Sequence, residues 1–287
     1  MKFHTFKDLF ISMRPKQWVK NLFVFAPLLF VRAFDEQDMV RLAFFAFVLF
    51  SFASSSVYLL NDCLDREKDR LHPKKRNRPI ASGALSVSVA AGAALICAAL
   101  ALGGAFFLGY SFGLVIVGYL VLNILYSFVL KHVVILDIFS VALGFVLRVV
   151  GGALAIAVPV SVWILLCTFF LTLFLAVNKR RSELMLGGET RTVLQSYSPE
   201  FLEQMSTITL SITLITYAFY TFSSEHSRLL MLTVPVVVYG LLYYVYAVGN
   251  RGKGDGDPTD IVLSERPLQC AIALYVLLAF GILFFAG

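Results

Sequence analysis

Apolar runs of about twenty residues follow one another along the chain, separated by polar breaks. A run of that length crosses a hydrocarbon core about 30 Å thick as a helix. The runs are continuous rather than alternating residue by residue, which selects helices over a barrel of strands. Nine spans are predicted, at about 17–33, 39–60, 84–103, 106–130, 134–157, 161–178, 202–223, 228–248 and 267–286. Pro27 should kink the first. The expected fold is all-α, a polytopic integral membrane bundle of nine transmembrane helices, forming one domain over residues 1–287. Phe3, Phe6, Phe10 and Met13 recur at helical spacing among Lys2, His4, Lys7 and Arg14, which predicts a short interfacial helix over residues 1–16.

Composition agrees: 59% of the 287 residues are hydrophobic and 15% are charged, against about a quarter charged in a soluble domain. Cys97, Cys167 and Cys270 lie in apolar runs and read as small buried hydrophobes, with no metal-like or disulfide spacing. Connections after spans 1, 3, 5 and 7 are short. Those after spans 2, 6 and 8, about 61–83, 179–201 and 249–266, are long and polar. Most Lys and Arg residues fall in the N-terminal segment and these three loops, so the positive-inside rule places them in the cytoplasm and the C-terminus outside, in a plasma membrane. Most of the eighteen Asp and Glu residues gather on the same side. Topology does not require them there, so they need a chemical reason.

The densest charge is NDCLDREKDRLHPKKRNRP, Asn61 to Pro79, with four acidic and seven basic side chains in nineteen residues. Asp62, Asp65 and Asp69 are spaced i, i+3, i+7, which on one helix puts them on one face, and Asn61 is an i, i+4 neighbour of Asp65. Carboxylates held that close repel unless a cation sits among them. Hard oxygen ligands suit Mg2+, typically held by one or two carboxylates plus substrate phosphates. The plainer alternative is a solvated helix end in which Arg66 and Arg70 pair the aspartates. Lys74, Lys75, Arg76 and Arg78 follow. Arg grips phosphate with two donors, and Lys acts as a point charge. Alone, such a cluster reads as an anionic-lipid contact. Beside a carboxylate face it favours a phosphate-bearing substrate.

NDCLDREKD resembles the N-D-x-x-D-x-x-x-D motif of the UbiA superfamily of intramembrane prenyltransferases. The nine spans, the three long loops and the stretch from Lys131 through Asp137 and Gly144 to Arg148 and Gly151 are similar to that superfamily too. MRPKQWVKNLFVFAPLLF (Met13 to Phe30) and GDPTDIVLSERPLQ (Gly256 to Gln269) look like its decaprenyl-phosphate phosphoribosyltransferase branch. The resemblance implies transfer of phosphoribosyl from phosphoribosyl diphosphate to a polyprenyl phosphate, with release of diphosphate, for cell-envelope precursor synthesis. It implies Mg2+ on Asp62, Asp65 and Asp69, with Asn61 positioning. Superfamily members usually carry a second aspartate-rich motif in the sixth loop. Here that loop reads NKRRSELMLGGE, with Glu183 and Glu189 as its nearby carboxylates and Lys179, Arg180 and Arg181 crowding it. The departure argues against prenyl transfer to an aromatic acceptor, the nearest alternative, and suits a site that receives more phosphate.

On that reading Lys74, Arg76, Arg78, Lys179 and Arg180 hold phosphates, and Glu183 is a further candidate ligand. Lys16, Lys20 and Asn21, at the cytoplasmic start of span 1, either meet a phosphate or are an ordinary positive flank. Asp257, Asp260 and Arg266, in the loop before span 9, serve substrate contact or loop architecture. Tyr197 either contacts ribose or lipid or packs; it precedes Ser198-Pro199, a pair suited to N-cap and first helical turn. Arg148, inside span 5, is structural, bonded to a backbone carbonyl, or else faces a cavity. The nucleophile, a lipid phosphate oxygen, is largely ionised at neutral pH because its second pKa is about 6. No strong base is then required. None is visible: the four histidines form no constellation, and no G-x-S-x-G, H-E-x-x-H or P-loop occurs. Membrane lipid is a partner and nucleic acid is not expected. A transporter, the remaining alternative, should show paired Gly/Pro-broken spans, and none stands out.

Overall fold

The structure is a computed structural model that describes residues 2–31, 33, 35–73, 75–185, 192–222, 228–251 and 258–285. The described residues are helices and their connections, without strands. Among the described residues, eight helices are long and apolar enough to cross a membrane. The chain is a multi-pass membrane protein. It divides into two compact units, residues 1–130 with 144–160, and residues 131–143 with 161–287.

The first unit holds α1 (Lys2–Ser12), a 3-10 helix Pro15–Phe25, α2 (Ala26–Phe30), α3 (Gln37–Leu64), α4 (Arg66–Leu71), α5 (Pro79–Ser82), α6 (Val87–Leu108), α7 (Tyr110–Phe128) and the greater part of α8 (Leu136–Ala155). On α6 size rather than polarity decides what is buried. On α6 the small residues Ala90, Ala94, Cys97, Ala101 and Ala105 are buried, while Leu95, Ile96, Leu100 and Phe107 point outward. Small residues let α3 and α6 approach closely, as membrane helices require. A Cβ on Gly104 would stand 2.4 Å from a Leu49 methyl on α3. Ser86 caps α6 by accepting the Val89 N–H at 3.3 Å.

The first predicted span differs from expectation. Instead of one kinked α-helix, residues 15–30 form an eleven-residue 3-10 helix and then the short α2. Pro15 opens the segment after Arg14, whose φ of 55° is in the left-handed region. Burial then follows a period of three: Trp18, Asn21 and Val24 face inward or nearly so, while Lys16, Val19 and Leu22 are exposed. The inward face meets serines of α3. Trp18 Nε1 donates to Ser55 Oγ at 3.0 Å, and Asn21 Nδ2 donates to Ser51 Oγ at 3.1 Å and Ser54 Oγ at 3.3 Å.

The second unit holds the start of α8, then α9 (Val162–Met185), α10 (Pro199–Phe222), α11 (Val234–Arg251), α12 (Pro258–Ser264) and α13 (Arg266–Phe285). Thr172 on α9 and Thr209 and Thr213 on α10 turn their hydroxyls to the carbonyl four residues back, at 2.6–2.7 Å. Between the helices, Asn178 Nδ2 donates to Ser206 Oγ at 2.9 Å and Ser206 donates back to Asn178 Oδ1 at 3.1 Å. The predicted cap of α10 forms, with Phe201 N–H donating to Ser198 Oγ at 3.1 Å.

Candidate active site

Asp62 lies in the last turn of α3, and α3 ends two residues later. Asp65 takes φ −89° and ψ 8° at that end, and α4 restarts at Arg66. The two helices return Asp69 to Asp62, because Arg78 reaches both. Its Nη1 donates to Asp62 Oδ1 at 3.1 Å and to Asp69 Oδ2 at 2.6 Å. Arg14 donates to the same Asp62 Oδ1 from the N-terminal segment and lies 4.9 Å over the Tyr58 ring. The aspartate side chains are 3% and 6% exposed, the Arg14 and Arg78 side chains 27% and 30%. Buried carboxylates are thus met by cations that reach in from a wetter edge. Arg66 Nε, on α4, is buried and finds no acceptor among the described residues. Such a donor costs about 1–3 kcal/mol unless an acceptor reaches it.

The three-aspartate ligand set expected from one continuous helix is therefore corrected. Asp62 and Asp69 converge, but among the described residues no three acidic, His or Cys side chains gather closely enough for a metal. Asp65 stands half-buried at the junction of α3 and α4, where its N–H donates to the Asn61 carbonyl and its own carbonyl accepts the Asp69 N–H, each at 2.8 Å. The remaining donor set still fits Mg2+, which needs only one or two carboxylates when phosphate and water complete its shell. Two carboxylates already share one cationic nitrogen. Asn61 is half-buried beside them, and its backbone carbonyl accepts the Asp65 N–H at 2.8 Å. In the basic run, Arg78 turns back onto the carboxylates while Arg76 is exposed. Lys74 lies outside the described residues.

Asn21 is also corrected. It is fully buried, and its oxygen accepts from Arg148 Nε at 2.8 Å while its amide serves Ser51 and Ser54. No part of it is left for substrate. Lys16 is exposed and Lys20 half-buried on the same segment.

In the second unit, Arg180 was expected to hold phosphate, but it is sealed. Its side chain is 2% exposed, its Nε donates to Asp137 Oδ2 at 2.7 Å, and its Nη1 donates to Glu183 Oε2 at 2.7 Å. Tyr197 packs rather than projecting. Its hydroxyl donates to Asp137 Oδ1 at 2.7 Å and accepts the Ile135 N–H at 2.7 Å. Burial first, and the Asp137 hydrogen bond second, push the Tyr197 phenol above its ordinary value. Lys179 is half-buried next to Arg180. Asp260 and Arg266 are exposed, at the starts of α12 and α13. Glu189 and Asp257 lie outside the described residues.

Two residues escaped the sequence reading. Arg14 entered only as part of the interfacial helix, the positive flank and a family-like stretch, although its place just before Pro15 marks a chain turn. Asp137 entered only as part of a family-like stretch, although a carboxylate at the start of an apolar span needs a partner.

A helical membrane protein with carboxylates and arginines gathered at one helix end is the class these features define. Comparison with known proteins makes it specific. The model of the UbiA prenyltransferase family matches residues 21–259. The chain belongs to that family. It is 36% identical over 277 residues to the decaprenyl-phosphate phosphoribosyltransferase of Corynebacterium glutamicum, covering 92% of this chain and 83% of that protein. It is 34% identical over 282 residues to the enzyme of the same name from Mycolicibacterium smegmatis, covering 92% and 89%. Its fold matches a UbiA homolog from Archaeoglobus fulgidus bound to GPP and Mg2+, with a TM-score of 0.74 at 22% identity, covering 96% of this chain and 99% of that one.

Proposed function

We propose that this chain transfers a 5-phosphoribosyl group from phosphoribosyl diphosphate to a polyprenyl phosphate. A lipid phosphate oxygen bonds to the anomeric carbon as the bond to diphosphate breaks, and diphosphate leaves with the electron pair. The active-site loops and the N-terminus are cytoplasmic, the C-terminus is outside, and the membrane is the plasma membrane. The observation that carries the reading is the Asp62–Arg78–Asp69 bridge with Arg14 on Asp62, a set of charges made for phosphate oxygens. The extensive identity to two phosphoribosyltransferases supports the choice of donor.

Asp62 and Asp69 would hold Mg2+, which supplies charge neutralisation to a leaving diphosphate. Arg14 and Arg78 exchange their carboxylate partners for phosphate oxygens and stabilise negative charge as it develops there. The nucleophile arrives ionised, so no side chain has to remove a proton. The replacement of the second aspartate-rich motif by a stretch whose Arg180, on α9, is neutralised internally speaks against prenyl transfer.

The test is direct. Purified protein is incubated with phosphoribosyl diphosphate, polyprenyl phosphates of several lengths and Mg2+, and the lipid is analysed by mass spectrometry. A phosphoribosylated lipid is expected. Folded protein that makes none, yet joins a prenyl diphosphate to an aromatic acceptor, overturns the reading.

A further inference from the structure

We infer that Arg148 and Gly152 clamp the segment Pro15–Phe25 in its 3-10 form, making Arg148 a positioning residue for the phosphate-binding cations that the segment carries. Arg148 is buried in α8, yet its donors go to neutral acceptors. Nε binds Asn21 Oδ1 at 2.8 Å, Nη1 the Gly144 carbonyl at 2.7 Å, and Nη2 the Tyr119 hydroxyl at 2.9 Å. Its guanidinium also lies 4.8 Å from the Tyr119 ring centre and 5.1 Å from that of Phe145. A charge inside an apolar span is costly and usually functional. Here it is tied to the Pro15–Phe25 segment through Asn21.

One turn further along α8, Gly152 makes the second contact. A Cβ there would stand 2.0 Å from the Val24 carbonyl oxygen and 2.9 Å from its carbon, so the Val24 backbone lies directly on the glycine. The two contacts share one register. Asn21 and Val24 are three residues apart, and Arg148 and Gly152 are four apart. Three residues of 3-10 helix rise about 6 Å, and so do four residues of α-helix. An α-helical segment would rise only about 4.5 Å over the same three residues and would turn Val24 away. A 3-10 run of eleven residues is unusual without such outside support. The segment begins at Arg14, held on Asp62, and carries Lys16 and Lys20.

The assignment to substrate positioning rests on the proposed function; the clamp itself does not. Limited trypsin digestion of the full-length protein in detergent, mapped by mass spectrometry, tests the clamp without substrate. Trypsin cuts after Lys16 and Lys20, and Pro15 blocks cutting after Arg14. Arg148→Met, Gly152→Ala and Asn21→Ala are each expected to speed cleavage at Lys16 and Lys20 at least tenfold, with cleavage after Lys179 and Arg181 unchanged. Tyr119→Phe, which leaves the Asn21 contact in place, should cleave like the parent. Arg148→Lys, with charge but a single point of attachment, should not restore protection. Uniform acceleration at all sites, or none, overturns the clamp. For positioning, the KM for phosphoribosyl diphosphate should rise at least fivefold in Gly152→Ala while kcat changes less than threefold. An opened segment with unchanged KM would leave the clamp standing and refute its role in positioning. Parent protein that shows the cleavage pattern but no phosphoribosyl transfer would instead overturn the function.

Discussion

Two sets of arginines and carboxylates use the same chemistry in different water. In the first unit Arg14 and Arg78, each more than a quarter exposed, reach Asp62 and Asp69. In the second unit Arg180, 2% exposed, is shared between Asp137 at 0% and Glu183 at 16%. A hydrated guanidinium can change partners at little cost, whereas a sealed one can leave its carboxylate only by exposing an unpaired charge. The first set is therefore suited to receiving a charged ligand and the second to holding helices α8 and α9 together. Both sets hold two well-buried carboxylates; what separates them is burial of the cation.

The largest effect should come from breaking the sealed set. Asp137→Ala takes the fully buried carboxylate away from buried Arg180, and removing one member of a buried pair costs about 3–5 kcal/mol. Unfolding in mixed micelles should show that loss; a change below about 1 kcal/mol would show the pair to be hydrated after all. Asp62→Asn should do the opposite. The side chain keeps its shape at the wetter cluster, so the unfolding midpoint should stay close to the parent. Phosphoribosyl transfer should fall about 10²–10³-fold, the scale of losing one charge-stabilising group in an active site. Lost stability with retained turnover would reverse the roles assigned to the two clusters.

The sequence shows the spans because an apolar run of membrane length has few other uses, and eight of the nine predicted are long helices. The first was misjudged because its period is three, with Trp18, Asn21 and Val24 set against Lys16, Val19 and Leu22. That period is chosen by serines on α3 and a glycine on α8, far away in sequence. Asp62 and Asp69 were legible from spacing. The junction between α3 and α4 at Asp65 was not legible, because nothing local announces it. Arg180 looked like a phosphate ligand because its neutralising partner, Asp137, lies 43 residues earlier. Pairing across helices is a tertiary fact, and a run of basic residues reads the same whether or not one of them is buried.

Tyr197→Phe probes the sealed set more gently. It removes the hydroxyl between Asp137 and the Ile135 N–H, and a stability loss of about 1–2 kcal/mol is expected from those two groups. The loss should also depend on pH. The phenol is raised above its ordinary value, so its contribution is complete below about pH 10, where the unfolded phenol is still neutral. Above that pH the unfolded chain ionises first, and the contribution declines as pH rises toward the native value. Unfolding measured from pH 8 to 11 should show the parent weakening relative to Tyr197→Phe. A gap that widens with pH would mean that the phenol is lowered instead.

The smallest effect belongs to a third pair, in which the carboxylate rather than the cation is the exposed partner. Arg181, the residue after the sealed arginine, meets Glu203 at 3.6 Å, and Glu203 is 66% exposed. Sequence alone cannot rank these neighbours, since both are arginines in one basic run. Water screens the outer pair, and ordering two long side chains offsets much of the attraction, so Glu203→Gln should change stability by about 0.5 kcal/mol or less. Most of that should disappear in 1 M salt, where the screening length falls to about 3 Å. The Asp137→Ala loss should persist there, because salt does not reach a sealed pair. A Glu203→Gln loss above about 1.5 kcal/mol, or one indifferent to salt, would exceed what an exposed pair supplies. It would mean that one exposed partner is not enough to make an ion pair weak.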